Sequence, residues 1–127
     1  MRRIKSILLV EDHREVREVL VESLKCFGYE IVAVDNGCDA WLLLGGGNYD
    51  FDLIISDNQM PVMTGLELLV RVKTDKRFKD TIYILMSTSD TVSPQNPTEL
   101  DGVCAELGAT FCLKPFIFDE LSKIIGE

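Results

Sequence analysis

Short apolar runs and segments of helical spacing alternate along this chain five times, and that alternation leaves few folds open to it. Residues 4–10 form the first apolar run. Residues 14–27 then place Val16, Val19, Leu20, Leu24 and Phe27 at intervals of three and four, with Arg14, Glu15, Arg17, Glu18, Glu22 and Lys25 on the other face. Gly28 stops that helix as a left-handed C′ residue. Residues 31–34 read as a second strand and 38–44 as a second helix, broken by Gly45-Gly46-Gly47. Residues 51–56 are a third strand. Thr64 then opens a helix with Glu67 in a capping-box position and Leu66, Leu69, Val70 and Val72 on its apolar side.

Residues 82–86 are the fourth strand. The polar stretch 87–96, which contains Pro94, reads as a loop. Asn96, Pro97 and Glu99 suit the N-cap, N1 and N3 of a helix striped by Leu100, Val103, Cys104 and Leu107 and ended by Gly108. Residues 111–113 and 118–125 supply a fifth strand and a last short helix. Continuous apolar strands joined by helix-length connections predict an α/β fold: a three-layer, doubly wound (βα)5 parallel sheet with right-handed crossovers. The chain has 127 residues, which suits one domain over 1–127.

Composition excludes several roles. A net charge of −8 argues against binding a nucleic-acid backbone, which needs clustered Lys and Arg. No apolar run reaches the length of a membrane span. The start, MRRIKSILLV, runs directly into Glu11 and Asp12, unlike a cleaved targeting segment, so the expected location is the cytoplasm. Cys26, Cys38, Cys104 and Cys112 lack metal-ligand or redox spacing and read as reduced packing thiols. His13 reads as an exposed first-turn residue and Trp41 as a packing residue.

In a sheet of this kind ligands sit beyond the carboxyl ends of the strands. Glu11-Asp12 stands at the end of strand one, Asp57 at strand three, Ser87-Thr88 at strand four and Lys114-Pro115 at strand five. If strands one and three are neighbours, they lie roughly 4.8 Å apart, and three carboxylates crowd one pocket. Such crowding opposes ionisation unless cations are present. A hard divalent ion, Mg²⁺ first with Mn²⁺ as the alternative, and the Lys114 ammonium meet that need. A hydroxyl, an ammonium and a metal around one carboxylate suit a phosphoryl group, which Asp57 could accept by direct attack on phosphorus.

Taken together, Glu11-Asp12, Asp57 in DNQMPVMTG, Ser87 in ILMSTS and Lys114-Pro115-Phe116 resemble the receiver domain of two-component response regulators. The resemblance spans nearly the whole chain. It implies a flavodoxin-like sheet of strand order 2-1-3-4-5 and a phosphorylation-controlled signalling switch. Asp57 would be the phosphoacceptor, charged by the phosphohistidine of a histidine kinase or histidine phosphotransfer protein. Asp12 and Asp57 would bind Mg²⁺, with the backbone carbonyl of Gln59, and Glu11 would act through water. Ser87 and Lys114 would contact the phosphoryl oxygens, Phe111 would be the aromatic switch, and Gln59 and Ser89 would modulate dephosphorylation. Such a domain promotes its own phosphorylation and autodephosphorylation. Helix four, strand five and helix five would form the surface for an output protein, and no output domain is expected in this chain.

Some features depart from that pattern. The acidic pair is Glu-Asp rather than Asp-Asp, and Phe111 stands where Tyr is frequent. Residues 87–114 are several residues longer than usual, so the fourth helix is expected to start late or be displaced. Ile117 lacks a capping side chain and forms an apolar Phe116-Ile117-Phe118 cluster. Two other classes compete. An aspartate-dependent Mg²⁺ phosphohydrolase usually carries a second Asp two residues on, where this chain has Gln59. A flavin-binding module needs a hydroxyl- and glycine-rich loop where this chain has EDHREV.

Overall fold

The computed structural model describes residues 4–88, 91–93 and 96–114. In chain order the elements are β1 (Ser6–Val10), α1 (Arg14–Cys26), β2 (Glu30–Val34), α2 (Gly37–Gly45), β3 (Leu53–Asp57), α3 (Gly65–Thr74) and β4 (Ile82–Ser87). They are followed by β5 (Thr91–Ser93), β6 (Asn96–Glu99), α4 (Leu100–Glu106) and β7 (Thr110–Leu113). Five strands form one sheet in the order β2-β1-β3-β4-β7, all neighbours parallel. Counting the strands of this sheet alone, the order is 2-1-3-4-5, as the resemblance implied.

Every residue of β3 is buried, because it is the central strand and both its faces are covered. On one face Leu8, Ile54, Tyr83 and Leu85 pack with Leu44, Leu68, Leu69, Val72, Leu100 and Cys104 from α2, α3 and α4. On the other, Ile7, Leu9, Leu53, Ile55, Ile84 and Met86 pack with Leu20 and Leu24 of α1. Removing apolar surface from water on two faces is what holds the three layers together. It also brings the carboxyl ends of β1, β3 and β4 to one edge.

Helix ends follow local chemistry with some corrections. Thr64 and Glu67 make the expected capping box, with Thr64 Oγ1 accepting from Glu67 N at 3.1 Å. Gly28 and Gly108 take positive φ just beyond α1 and α4. At α1 the cap is His13, one place ahead of the first turn, and its Nδ1 accepts from Val16 N at 3.4 Å. The predicted stripe of α1 is only partly buried, since Val19 is 62% and Phe27 56% exposed. On α3, Leu68 joins Leu69 and Val72 in the core while Val70 is exposed. Helix α2 runs through Gly45, and the glycine run breaks it at Gly47, where φ is positive.

The main correction lies after β4. The stretch read as a loop contains β5, and Asn96 and Pro97 belong to β6, its antiparallel partner, rather than to a helix. Helix α4 starts late, at Leu100, with Glu99 at the cap and no side-chain cap bond. The last helix, the Phe116–Phe118 cluster and Ser89 lie outside the described residues. Among the described residues no helix is long and apolar enough to cross a membrane.

Candidate functional site

The parallel ladders continue past the strand ends and aim the polar side chains. Glu11 N donates to Val34 O at 3.1 Å, so Glu11 remains in register beyond β1 and is fully buried, while Asp12 beside it is exposed. Asp57 is the last residue of β3 and only 3% exposed. Lys114 N donates to Ser87 O at 2.8 Å, which prolongs the pairing of β7 with β4. Its ammonium reaches back to Glu11 Oε1 at 2.7 Å and to Asp57 Oδ1 at 3.2 Å. Glu11, Asp12 and Asp57 each place a carboxylate oxygen within 4.8 Å of the others.

Three carboxylates thus cluster near one ammonium, with Glu11 and Asp57 buried and Asp12 exposed. Burial, then the Glu11 charge, push the Asp57 carboxyl up to about 6, against the opposing pull of Lys114. Burial lowers the affinity of Lys114 for its proton, but its hydrogen bond to Glu11 and the Asp57 charge outweigh that, so its pKa lies above the usual lysine value. Asp57 Oδ1 is buried, and the Lys114 ammonium 3.2 Å away is its close cationic partner. A buried carboxylate oxygen beside two further carboxylates, with one ammonium among them, is a donor set suited to a hard oxygen-seeking cation such as Mg²⁺.

The remaining predicted residues take their places around this cluster. Ser87, at the end of β4, is fully buried, and its Oγ accepts from Nε2 of the exposed Gln59 at 2.6 Å. Phe111 pairs in register with Leu85 and is half-buried against the core face of α4. The structure therefore brings Glu11, Asp12, Asp57 and Lys114 together and links Gln59 to Ser87.

Four supporting residues were missed in the sequence. Asn58 N donates to Met86 O at 2.8 Å, and its Oδ1 accepts from Leu66 N at 3.0 Å, which ties the end of β3 to the start of α3. Gly65 permits that approach: a Cβ there would overlap the Asp57 carbonyl oxygen and lie 2.6 Å from Leu85 Cδ1. The Tyr83 hydroxyl donates to Gly65 O at 2.9 Å inside the core. Arg17 donates to the Glu11 carbonyl at 2.9 Å. The signal for Gly65 was its place at the first turn of a helix, where a poor helix former needs a packing reason. The signal for Tyr83 was a hydroxyl in a buried strand, which must find a partner.

Residues 7–126 match the family model described as the response regulator receiver domain. The chemotaxis protein CheY1 of Helicobacter pylori is 35% identical over 83 residues, covering 65% of this chain and 66% of that protein. The two-component response regulator ORR5 of Oryza sativa subsp. japonica is 34% identical over 122 residues, covering 95% of this chain and 86% of that protein. The aligned part thus spans just under two thirds of CheY1. The solved structure of the response regulator TrrA of Thermotoga maritima, in complex with Mg²⁺-BeF, superposes with a TM-score of 0.76 at 33% identity. That alignment covers 97% of each chain. With the sheet order, the acidic pocket and the family match in agreement, the chain belongs to the response regulator receiver domains of two-component signalling.

Proposed function

We propose that this receiver is a phosphorylation-controlled switch in which Asp57 takes a phosphoryl group from the phosphohistidine of a sensor kinase or phosphotransfer protein. The observation that carries the reading is Asp57 Oδ1, buried and set 3.2 Å from the Lys114 ammonium beside two further carboxylates. A carboxylate oxygen of Asp57 attacks phosphorus, the phosphorus–nitrogen bond breaks, and the histidine leaves with the electron pair. With its pKa at about 6, Asp57 is mainly the nucleophilic carboxylate at neutral pH. Asp12, Asp57 and the Gln59 carbonyl would hold Mg²⁺, with Glu11 behind them, and the ion would supply positive charge for the phosphoryl oxygens.

Lys114 moves its charge from Glu11 toward the new phosphoryl group, and Ser87 donates its hydroxyl to another phosphoryl oxygen. Phe111, packed beside the end of β4, follows Ser87 and alters the surface made by α4, β7 and the segment beyond, where an output protein docks. Gln59 and Ser89 set how readily water attacks the acyl phosphate. The domain is read as residues 1–127. Incubation with acetyl phosphate and Mg²⁺ should add the mass of one phosphoryl group to the intact protein, and Asp57→Asn should abolish the gain. An unchanged wild-type mass with acetyl phosphate and with other small phosphodonors would sink the reading.

A further inference from the structure

Charge is spread unevenly over this acidic chain. Residues 71–79 hold five of its thirteen Lys and Arg, although the net charge of the whole is −8. Two of the five are engaged: Lys73 Nζ donates to Thr81 O at 2.7 Å, and Arg77 binds both carboxylate oxygens of Asp75. Arg71, Lys76 and Lys79 are exposed and make no ion pair among the described residues. The Arg71 guanidinium lies 6.0 Å from the centre of the Trp41 ring, which stands edge-on to Phe78 at 6.2 Å. Trp41, Arg71, Thr74, Asp75 and Lys76 line an open groove of about 450 Å³ between α2 and the end of α3. Helix α3 starts beside the end of β3, and the chain beyond it enters β4 at Ile82, which pairs with Leu53 at the start of β3. The groove therefore sits at the amino edge of the sheet, opposite the acidic cluster.

We propose that this groove docks an acidic segment of a partner protein, with one carboxylate on Arg71 and its neighbours on Lys76 and Lys79. The dipole of α3 draws cations to its last turn, where Arg71 and Lys73 stand, but that effect does not reach Lys76 and Lys79 beyond it. Set over Trp41, the Arg71 guanidinium offers a rigid fork of donors that matches a carboxylate. Asp75, the acid lining the groove, is already paired with Arg77, which leaves Arg71 and Lys76 to the ligand. At physiological ionic strength charges more than about 8 Å apart are largely screened, so a short acidic segment senses the local cations. A nucleic acid or an anionic membrane is more extended and would also meet the net −8 of the chain. The site does not depend on the reading of Asp57, which lies at the other end of β3.

The test titrates hexaglutamate into the isotope-labelled full chain and follows it by NMR. At about 1 mM, the range expected for a short probe, the peptide should shift the Trp41 indole, Arg71 Nε and the amides of residues 74–79. Arg71→Gln should weaken binding about fivefold and Lys76→Gln about threefold. Lys25→Gln, on α1, should change it by less than about twofold. All three substitutions fall on exposed side chains, so the fold is retained. Binding should fade as NaCl is raised. Shifts that are absent at that concentration, or confined to other residues, would overturn the proposal. Equal losses for Arg71→Gln and Lys25→Gln would overturn it as well. Single-stranded DNA or anionic vesicles that bind through Arg71 more tightly than hexaglutamate would also overturn it, and would give the groove to a different class of polyanion.

Discussion

The ends of β1 and β3, which carry the acidic cluster, and the ribbon that follows β4 are built on different principles. The first region is the continuation of central, fully buried strands, and its polar groups are fixed by ladder bonds, by Asn58 and by the capping box at α3. The second is a short antiparallel ribbon, β5 with β6, that pairs with no strand of the main sheet. Two-stranded ribbons are marginal by themselves, so the second region depends on its attachments while the first depends on the core. Asp57, the proposed phosphoacceptor, ends the buried strand β3, and Ser87, proposed to respond to it, ends β4 ahead of the ribbon that begins at Thr91.

Hydrogen exchange would break that comparison most readily. Amides of Ile54 and Ile55 in β3 should open only with the whole domain, whereas those of residues 91–93 should open locally, a gap of about 4 kcal/mol or more. Equal protection would show that the ribbon belongs to the core. Next in size, Gly65→Ala forces a methyl group against the Asp57 carbonyl and Leu85, and should cost about 3 kcal/mol in denaturant unfolding. A loss below about 1 kcal/mol would mean that the junction of β3 and α3 is not tightly packed.

A pH series sharpens the electrostatic side of the same region. The native Asp57 carboxyl is raised from 3.8 to about 6, so the native state holds this proton more tightly than the unfolded chain. That contribution is fully present below 3.8 and is lost as pH rises through about 6. Without added metal, wild type should therefore lose about 2 kcal/mol relative to Asp57→Asn between pH 4 and pH 7. Parallel stability curves for the two proteins would contradict the raised pKa. The smallest effect concerns Val62, a β-branched residue held at φ 69° and 90% exposed in the loop before α3. Val62→Gly relieves that strain and should raise stability by about 0.5–1 kcal/mol in thermal melts.

The sheet and most of the acidic pocket could be read from the chain because each depends on local patterns. Apolar runs place the central strands, and the residue that follows each run falls at the pocket edge by register. Thr64 and Glu67 cap α3 with bonds three residues apart, a spacing visible in one dimension. The ribbon after β4 was not legible. Its strands are short and polar, and Asn96-Pro97 with Glu99 imitates a helix start when the partner strand is unknown. The roles of Gly65 and Tyr83 arise from residues eight and eighteen positions away, at Asp57 and Gly65, that only packing brings close. His13, read as a first-turn residue, took the cap of α1 because its own Nδ1 reaches Val16 N.

The central claim is that Asp57, and neither of the other two carboxylates, is the group that reacts. Phosphorylation with acetyl phosphate and Mg²⁺, followed by borohydride reduction of the acyl phosphate and peptide mapping, locates the modified residue. The account predicts reductive conversion at residue 57, dependent on Mg²⁺. Conversion at Glu11 or Asp12, or none at residue 57 in a phosphorylated sample, would contradict it.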